Sequence, residues 1–190
     1  ARDWRAMLEQ ALGFGTGHLS LYQLTIEPGT RFAALHAAGK FMPLDPDRSA
    51  DLFELTQELT SAAGLPLYEI SNHARLGEES RHNLTYWRYG EYAGVGPGAH
   101  GRRRGMRTVR HRKPENFLSG LTRNGHGMVE EAALTAAERA DEALVMGLRL
   151  AEGIDPDALA ARIGVARLVD EEAVGKLAGL GLVERDEARL

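Results

Sequence analysis

Residues 80–101 read SRHNLTYWRYGEYAGVGPGAHG, the densest cluster of ring and amide side chains in the chain, and they end in a glycine-rich turn. The imidazole of His82 could ligate a metal ion or a haem iron. Tyr86 and Trp87 have broad apolar faces with polar tips, which suit a planar ligand. On the residues alone, a structural corner is favoured over a ligand site, with His82 and Asn83 capping backbone groups while the rings pack.

The glycine run at residues 94–99, GVGPGA, is superficially similar to the fingerprint of a dinucleotide-binding loop. Pro97 lies inside it, HGRRRG follows in place of an amphipathic helix, and no ribose-binding acid is in place. We therefore interpret the run as a tight turn. Glycine there would let the backbone approach another backbone or a flat ligand.

The residues before this stretch alternate between helix and strand patterns. DWRAMLEQALG (3–13) has helical spacing, and HLSLYQLTI (18–26) predicts a strand that is apolar on both faces and lies inside a covered sheet. A turn follows at 27–30, a helix runs from an Asp-Pro start at residue 45 to Gly64, and LPLYEIS (65–71) is a short strand. This alternation is typical of an α/β layer.

The residues after it are basic and then acidic. Residues 102–113 hold seven Lys and Arg and no acid, which favours a solvated loop, with pairing to carboxylates or phosphates as the alternative. No aromatic residue lies within them, so stacking on nucleic acid bases is not expected. KPENFLSGL (113–121) is interpreted as a connector. Residues 130–190 contain 14 acids and 7 bases.

The acidic segment has the pattern of a winged-helix module. Thr135 and Glu138 predict a capping box and a helix to about Leu150, and two shorter helices should follow, ending at Gly164 and Gly181. LVERDEARL (182–190) would begin a terminal hairpin. The third helix starts in DEEAVGKLAGL (170–180), and acids at that position would repel a phosphate backbone. We therefore predict a packing or partner-docking module that does not bind DNA.

Composition excludes several classes of site. The 190 residues are 43% hydrophobic with a net charge of −4, and they contain no cysteine. Disulfides and cysteine-ligated zinc or iron–sulfur clusters are therefore excluded within this chain. No stretch is apolar enough to span a bilayer and no signal peptide opens the chain, so a cytoplasmic protein is expected. A helix that starts at once, without an initiator Met, predicts a part of a longer protein.

Four parts of the sequence resemble the HemW family, radical-SAM proteins related to oxygen-independent coproporphyrinogen III oxidase (HemN). They are HLSLYQLTIEPGT (18–30), YEISNHAR (68–75), HNLTYWRYGEYAGVGPGAHG (82–101) and the helical tail. The resemblance implies an α/β fold. Residues 1–115 would hold the last helix and strand of a radical-SAM partial TIM-type barrel and the HNxxYW segment. Residues 116–190 would be a mostly helical, winged-helix-like C-terminal domain, truncated at the wing.

The resemblance also implies cofactors that act together with residues outside this chain. A CxxxCxxC loop holding a [4Fe–4S] cluster, and most of a barrel that binds S-adenosyl-L-methionine (SAM), would precede residue 1. Gln23 or Thr25 would then lie near the SAM pocket. The barrel strand would lack its neighbours, so its exposed edge could pair with a second copy of the chain.

The function that the resemblance implies is a haem chaperone, which binds haem and passes it to apoproteins. HNxxYW is the haem-associated motif of that branch, and it corresponds to His82, Asn83, Tyr86 and Trp87. His82 would be the axial ligand to the iron, with Trp87 or Tyr86 packed on the macrocycle and the cations of 102–113 facing the two propionates.

Alternatives remain at this point. His73 and His100 flank the motif and compete with His82 for the iron. The parent could instead be an oxygen-independent coproporphyrinogen III oxidase, a radical-SAM enzyme of porphyrin biosynthesis. A non-catalytic protein-docking module is the third interpretation.

Overall fold

Short helices and short antiparallel strands alternate along the chain, and they form two units, residues 1–80 and 81–190. The computed structural model describes residues 2–186 and 188–190. The elements of unit 1 are α1 (Arg2–Gly13), β1 (His18–Ser20), α2 (Arg31–Ala37), α3 (Pro46–Ala62), β2 (Leu67–Glu69) and β3 (Asn72–Ala74). Those of unit 2 are α4 (Arg81–Trp87), β4 (His100–Arg103), β5 (Met106–Arg110), α5 (Pro114–Asn124), β6 (Met128–Ala133), α6 (Ala136–Gly147), α7 (Pro156–Ile163) and α8 (Glu171–Gly179).

Two of the helices of unit 1, α1 and α3, are those that the sequence predicts, and α2 was not predicted. α1 begins at Arg2, and Asp45 caps α3 by accepting a hydrogen bond from the backbone N–H of Asp47 at 3.0 Å. The two helices contact each other, and the indole N–H of Trp4 donates to Oγ1 of Thr56 at 2.9 Å. This hydrogen bond joins α1 to α3 and satisfies the indole N–H within the unit.

The strands of unit 1 form one antiparallel sheet in the order β1–β3–β2. The predicted strand 18–26 is shorter than expected and ends at Ser20, because its partner β3 extends only to Asn72. The prediction that both its faces are covered is wrong, since Tyr22 is 74% and Leu24 57% exposed. Among the described residues β1 has one strand neighbour only, which leaves its other edge unpaired.

The basic stretch of unit 2 is a β-hairpin, so the loop interpretation of residues 102–113 is wrong. β4 and β5 pair antiparallel, and β6 adds a third strand to β5. Arg104 and Gly105 form the two-residue turn with φ of 54° and 71°, the left-handed pair that a tight hairpin requires. The predicted connector is helix α5, which begins with Pro114 in its first turn and ends at Gly125 in the left-handed conformation.

The two compact units divide after Ser80. Strands β5 and β6 lie on either side of residue 115 and are hydrogen-bonded partners, and the N–H of His111 also donates to the carbonyl of Gly127 at 3.0 Å. The sheet of unit 2 therefore includes residues from both sides of residue 115.

The three predicted helices of the acidic segment are confirmed. The capping box of Thr135 and Glu138 opens α6, and Gly164 closes α7. Helices α6, α7 and α8 meet in an apolar core whose buried members are Ala143, Ile154, Leu159, Ile163, Val169, Val174 and Leu190. In α8, Asp170 is the N-cap and two glutamates occupy the first turn, so the acidic start on which the DNA prediction depends is solvent-facing.

The predicted hairpin strand at 182–190 is absent from the described part of this segment, which excludes Glu187. The N–H of Asp186 donates to the carbonyl of Arg189 at 3.1 Å, and Leu190 then exchanges two backbone hydrogen bonds with Ile154, at 2.8 and 2.9 Å. The backbone groups of Leu190 are therefore bonded to the loop before α7 and do not pair with a neighbouring hairpin strand. No helix in the described ranges is long and apolar enough to cross a membrane.

Candidate functional site

The HNxxYW residues lie on the short helix α4. Residues three or four apart in a helix are neighbours on its surface, so Tyr86 lies beside both His82 and Asn83, and Trp87 lies beside Asn83. The rings of His82 and Tyr86 meet edge to face with their centroids 4.7 Å apart. Tyr86 in turn contacts Tyr92 edge to face at 4.4 Å. The rings of His82, Tyr86 and Tyr92 therefore form a continuous series of contacts.

Trp87 packs toward the helical part of unit 2. The guanidinium of Arg149 lies 4.4 Å from the centroid of the Trp87 ring, within the range of a cation–π contact. Trp87 also lines a cavity of about 440 Å³ together with Leu150, Ile154 and Leu159 from the α6–α7 region. Its Nε1 is buried and meets no acceptor among the described residues. These contacts attach α4 to the core of the unit.

The three histidines proposed as iron ligands differ in accessibility. His82 and His100 are exposed, whereas His73, in unit 1, is 1% exposed. Nδ1 of His73 lies 3.0 Å from the hydroxyl of Thr60. Burial lowers the pKa of His73, and the nearby carboxylate of Glu69 opposes that shift in part. His73 is enclosed, whereas the other two imidazoles are open to a ligand from solution.

Arg102 is the first cation of the basic stretch, and its charge is already engaged. The side chain is 7% exposed, and its guanidinium lies 3.6 Å from the centroid of the Tyr89 ring. It donates to the carbonyl of Gly90 at 3.0 Å and lies 3.5 Å from the carboxylate of Glu142. Burial, and a 3.0 Å hydrogen bond to Glu142, raise the pKa of Tyr89 to about 12. Arg102 supports the loop after α4 and is not available to a propionate.

Arg107 is engaged as well, through Nη2 at 2.6 Å from the Glu130 carboxylate. Two arginines of the basic stretch, Arg102 and Arg107, therefore already have carboxylate partners within the chain. The sequence did not indicate these pairings because Glu130 and Glu142 lie on other elements, β6 and α6. Tyr89, Tyr92 and Glu142 are site neighbours that motif matching missed.

The glycine run after the motif brings two backbone segments together. A Cβ at Gly94 would collide with the backbone carbonyl of His100, and next to it Tyr92 and Arg102 exchange backbone hydrogen bonds at 2.8 and 2.9 Å. The interpretation of the run as a turn with close backbone approach is confirmed at Gly94. A flat ligand has no room at that position, since the space is already filled.

Gln23, predicted to lie near SAM, lines a cavity of about 390 Å³ within unit 1. Its Nε2 donates to the carbonyl of Ser49 at 3.0 Å. The rest of the lining is mainly apolar, including Leu21, Leu24, Phe41, Leu52, Phe53 and Ile70. Thr25 is exposed and does not line this cavity.

One polar group of this cavity has no sequence signal. Nε2 of Gln57 is buried in the lining and meets no hydrogen-bond acceptor among the residues described. A single glutamine in the middle of an amphipathic helix matches no sequence motif, so only the fold shows that Gln57 lines this cavity. An apolar cavity with a few convergent polar groups is the usual form of a small-molecule site.

Comparisons with known proteins agree with the motifs. Residues 134–190 match the model of the HemN C-terminal domain. The chain is 39% identical over 159 residues to "Radical S-adenosyl methionine domain-containing protein 1, mitochondrial" of Mus musculus, a match that covers 80% of this chain and 36% of that protein. It is 32% identical over 184 residues to the heme chaperone HemW of Bacillus subtilis, a match that covers 95% of this chain and 48% of that protein. It is 44% identical over 120 residues to the heme chaperone HemW of Escherichia coli, which covers 60% of this chain and 30% of that protein.

A solved structure has the same fold. Coproporphyrinogen III oxidase (HemN) from Escherichia coli, a radical SAM enzyme, matches with a TM-score of 0.70 at 16% identity, over 95% of this chain and 45% of that chain. The chain thus spans less than half the length of these proteins. The predicted α/β class is confirmed by this likeness. The chain belongs to the HemW/HemN-like radical SAM family, and its residues 134–190 are the HemN C-terminal domain of that family.

Proposed function

We propose that this chain is the haem-binding part of a HemW-like haem chaperone, which binds haem and passes it to apoproteins. The observation that carries the proposal is an exposed imidazole, His82, held edge to face against Tyr86 on a helix anchored by Trp87. The relatives named heme chaperone HemW, at 32% and 44% identity, support it.

The exposed imidazole and the tyrosine rings beside it suit the binding of a haem that is later passed on. An imidazole is a common axial ligand to haem iron, and the rings of Tyr86 and Tyr92 offer apolar surface to a macrocycle. A carrier has to release its cargo, so a ligand on an open surface is better suited than one in a closed pocket. Exposed His82 meets this requirement, exposed His100 is the second candidate, and enclosed His73 does not meet it.

The radical SAM cofactors belong to the proposal for the longer protein. When bound, SAM and a [4Fe–4S] cluster would supply radical chemistry, and the cluster would need thiolates from outside these 190 residues because the chain has no cysteine. The cavity of unit 1 could contribute Gln23 and Gln57 to the SAM site, since their amides can donate and accept hydrogen bonds beside an apolar wall.

A haem titration of the His82→Ala variant tests the proposal. We expect wild-type protein to bind haem with a defined Soret band, and the variant to shift that band and bind more weakly. Because His82 is exposed, its removal should change the free energy of unfolding by about 0.5 kcal/mol or less. His126→Ala is the matched control, an exposed histidine of unit 2 that is not a candidate ligand.

Three results separate the alternatives. An unchanged haem spectrum together with a large loss of stability would assign His82 to the structural corner. Turnover of coproporphyrinogen III by a longer protein containing this chain, measured beside the titration, would support the oxidase. Absence of both haem binding and turnover would leave the docking module.

A further inference from the structure

A second cavity of unit 2 lies on one face of the β4–β5–β6 sheet. Side chains alternate between the two faces of a strand, so Met106, Thr108 and Arg110 of β5 lie on the same face, and all three line this cavity of about 360 Å³. Arg107 lies between them in sequence and is absent from the lining; it pairs with Glu130 instead.

The lining of this cavity is cationic. Three arginines, Arg103, Arg104 and Arg110, contribute to it against one carboxylate, Glu131. Nη1 of Arg110 is buried and has no hydrogen-bond acceptor among the described residues. A buried guanidinium N–H without an acceptor costs free energy, which an anionic ligand would recover. Arg102, by contrast, is satisfied by Gly90 and Glu142.

The cavity adjoins the histidine side of α4. Tyr92 lines it and also contacts Tyr86, which meets His82 edge to face. Burial raises the pKa of Tyr92, so this ring is a neutral, apolar wall between the imidazole and the arginines. A planar ligand bound at His82 could therefore extend over Tyr92 toward the cavity.

We infer that the sheet cavity is the carboxylate subsite for the porphyrin, with Arg110 as the residue that pairs with a propionate. This inference rests on the proposed function. It restricts the propionate contacts to the arginines on one face of the hairpin, and it excludes Arg102 and Arg107 of the same basic stretch. Arginine suits the role because its planar guanidinium can donate two parallel hydrogen bonds to a carboxylate.

The test varies the protein and the ligand together. Ferric haem and its dimethyl ester, in which both carboxylates are masked, are titrated against wild-type chain, Arg110→Gln and Arg107→Gln, with affinity read from the Soret band. Arg107→Gln is the matched control, an arginine of the same strand on the opposite face. Arg110→Lys keeps the positive charge without the two-pronged geometry, and thermal melts verify that each variant is folded.

We expect wild-type protein to prefer haem over the ester by about 10- to 100-fold, the effect of a charge-assisted hydrogen bond. Arg110→Gln should lower this preference to about twofold or less, Arg110→Lys should retain part of it, and Arg107→Gln should keep all of it.

The other outcomes overturn the inference in distinct ways. If wild-type protein binds no haem, the proposed function fails and the subsite fails with it. If wild-type protein binds haem but does not discriminate against the ester, or if a folded Arg110→Gln still discriminates, the proposed function stands and the carboxylate subsite is wrong.

Discussion

Replacing Arg102 with Met should destabilise unit 2 more than any other single arginine change in the basic stretch. Met is of similar length and leaves no charge, so it removes the polar contacts while filling much of the space. The buried guanidinium contacts the Tyr89 ring and the Gly90 carbonyl, which are adjacent in the chain, and the Glu142 carboxylate on α6.

The magnitude follows from these three contacts. The cation–π contact at 3.6 Å contributes about 1 kcal/mol. The charged hydrogen bond to Gly90 at 3.0 Å contributes about 1.5–3 kcal/mol. The ion pair adds little, because its oxygen lies 3.5 Å away and the Glu142 side chain is 32% exposed and can be hydrated. The total is about 3 kcal/mol, or a fall in Tm of about 10–20 °C for a unit of this size.

Denaturant unfolding followed by tryptophan fluorescence measures this effect. The chain has two tryptophans, Trp4 in unit 1 and Trp87 in unit 2, so Trp87 alone reports on unit 2 in a Trp4→Phe background. Arg107→Met is the control, since its pair with Glu130 is exposed to solvent and should contribute little to stability. An Arg102→Met variant within about 0.5 kcal/mol of wild type, or equal to Arg107→Met, would show that Arg102 does not support the site.

Two further predictions concern pH and metal. Burial lowers the pKa of His73, so the protein should be most stable above the ordinary histidine pKa of about 6.5 and should lose stability as pH falls from there toward the folded-state pKa. Unfolding followed by the fluorescence of Trp4 in a Trp87→Phe background should show this loss. The variant His73→Asn should flatten the pH dependence. The chain incubated with iron and sulfide under reducing conditions should assemble no [4Fe–4S] cluster, because it has no thiolate to bind one. Stoichiometric cluster absorbance would contradict this prediction.

Local chemistry explains which elements the sequence predicted. An Asp-Pro pair begins α3 and another begins α7, and the Thr135–Glu138 capping box begins α6. Caps act through hydrogen bonds within one turn, so they can be read without knowing the fold. The absence of cysteine is equally independent of structure, and HNxxYW together with three other segments indicated the family.

The hairpin at 100–110 depended on tertiary structure. From the sequence alone, the seven basic residues of 102–113 predict a solvated loop. In the structure β4 and β5 form a strand pair, and β6, which follows α5 in the chain, completes the sheet. Strand preference reflects packing against neighbours more than intrinsic backbone preference, so a basic strand has a weak local signal.

The sequence by itself determined that His82, Asn83, Tyr86 and Trp87 form one motif beside a group of cations. Only the tertiary structure decided that Tyr86 packs against Tyr92 while Trp87 packs against Arg149, and that the arginines have different roles. Arg102 and Arg107 have carboxylate partners on α6 and β6, while Arg110 lines a cavity and has a buried Nη1 with no acceptor among the described residues. The physical reason is that the pairing of a charge depends on which acids the fold brings within hydrogen-bond distance, and sequence spacing does not contain that information.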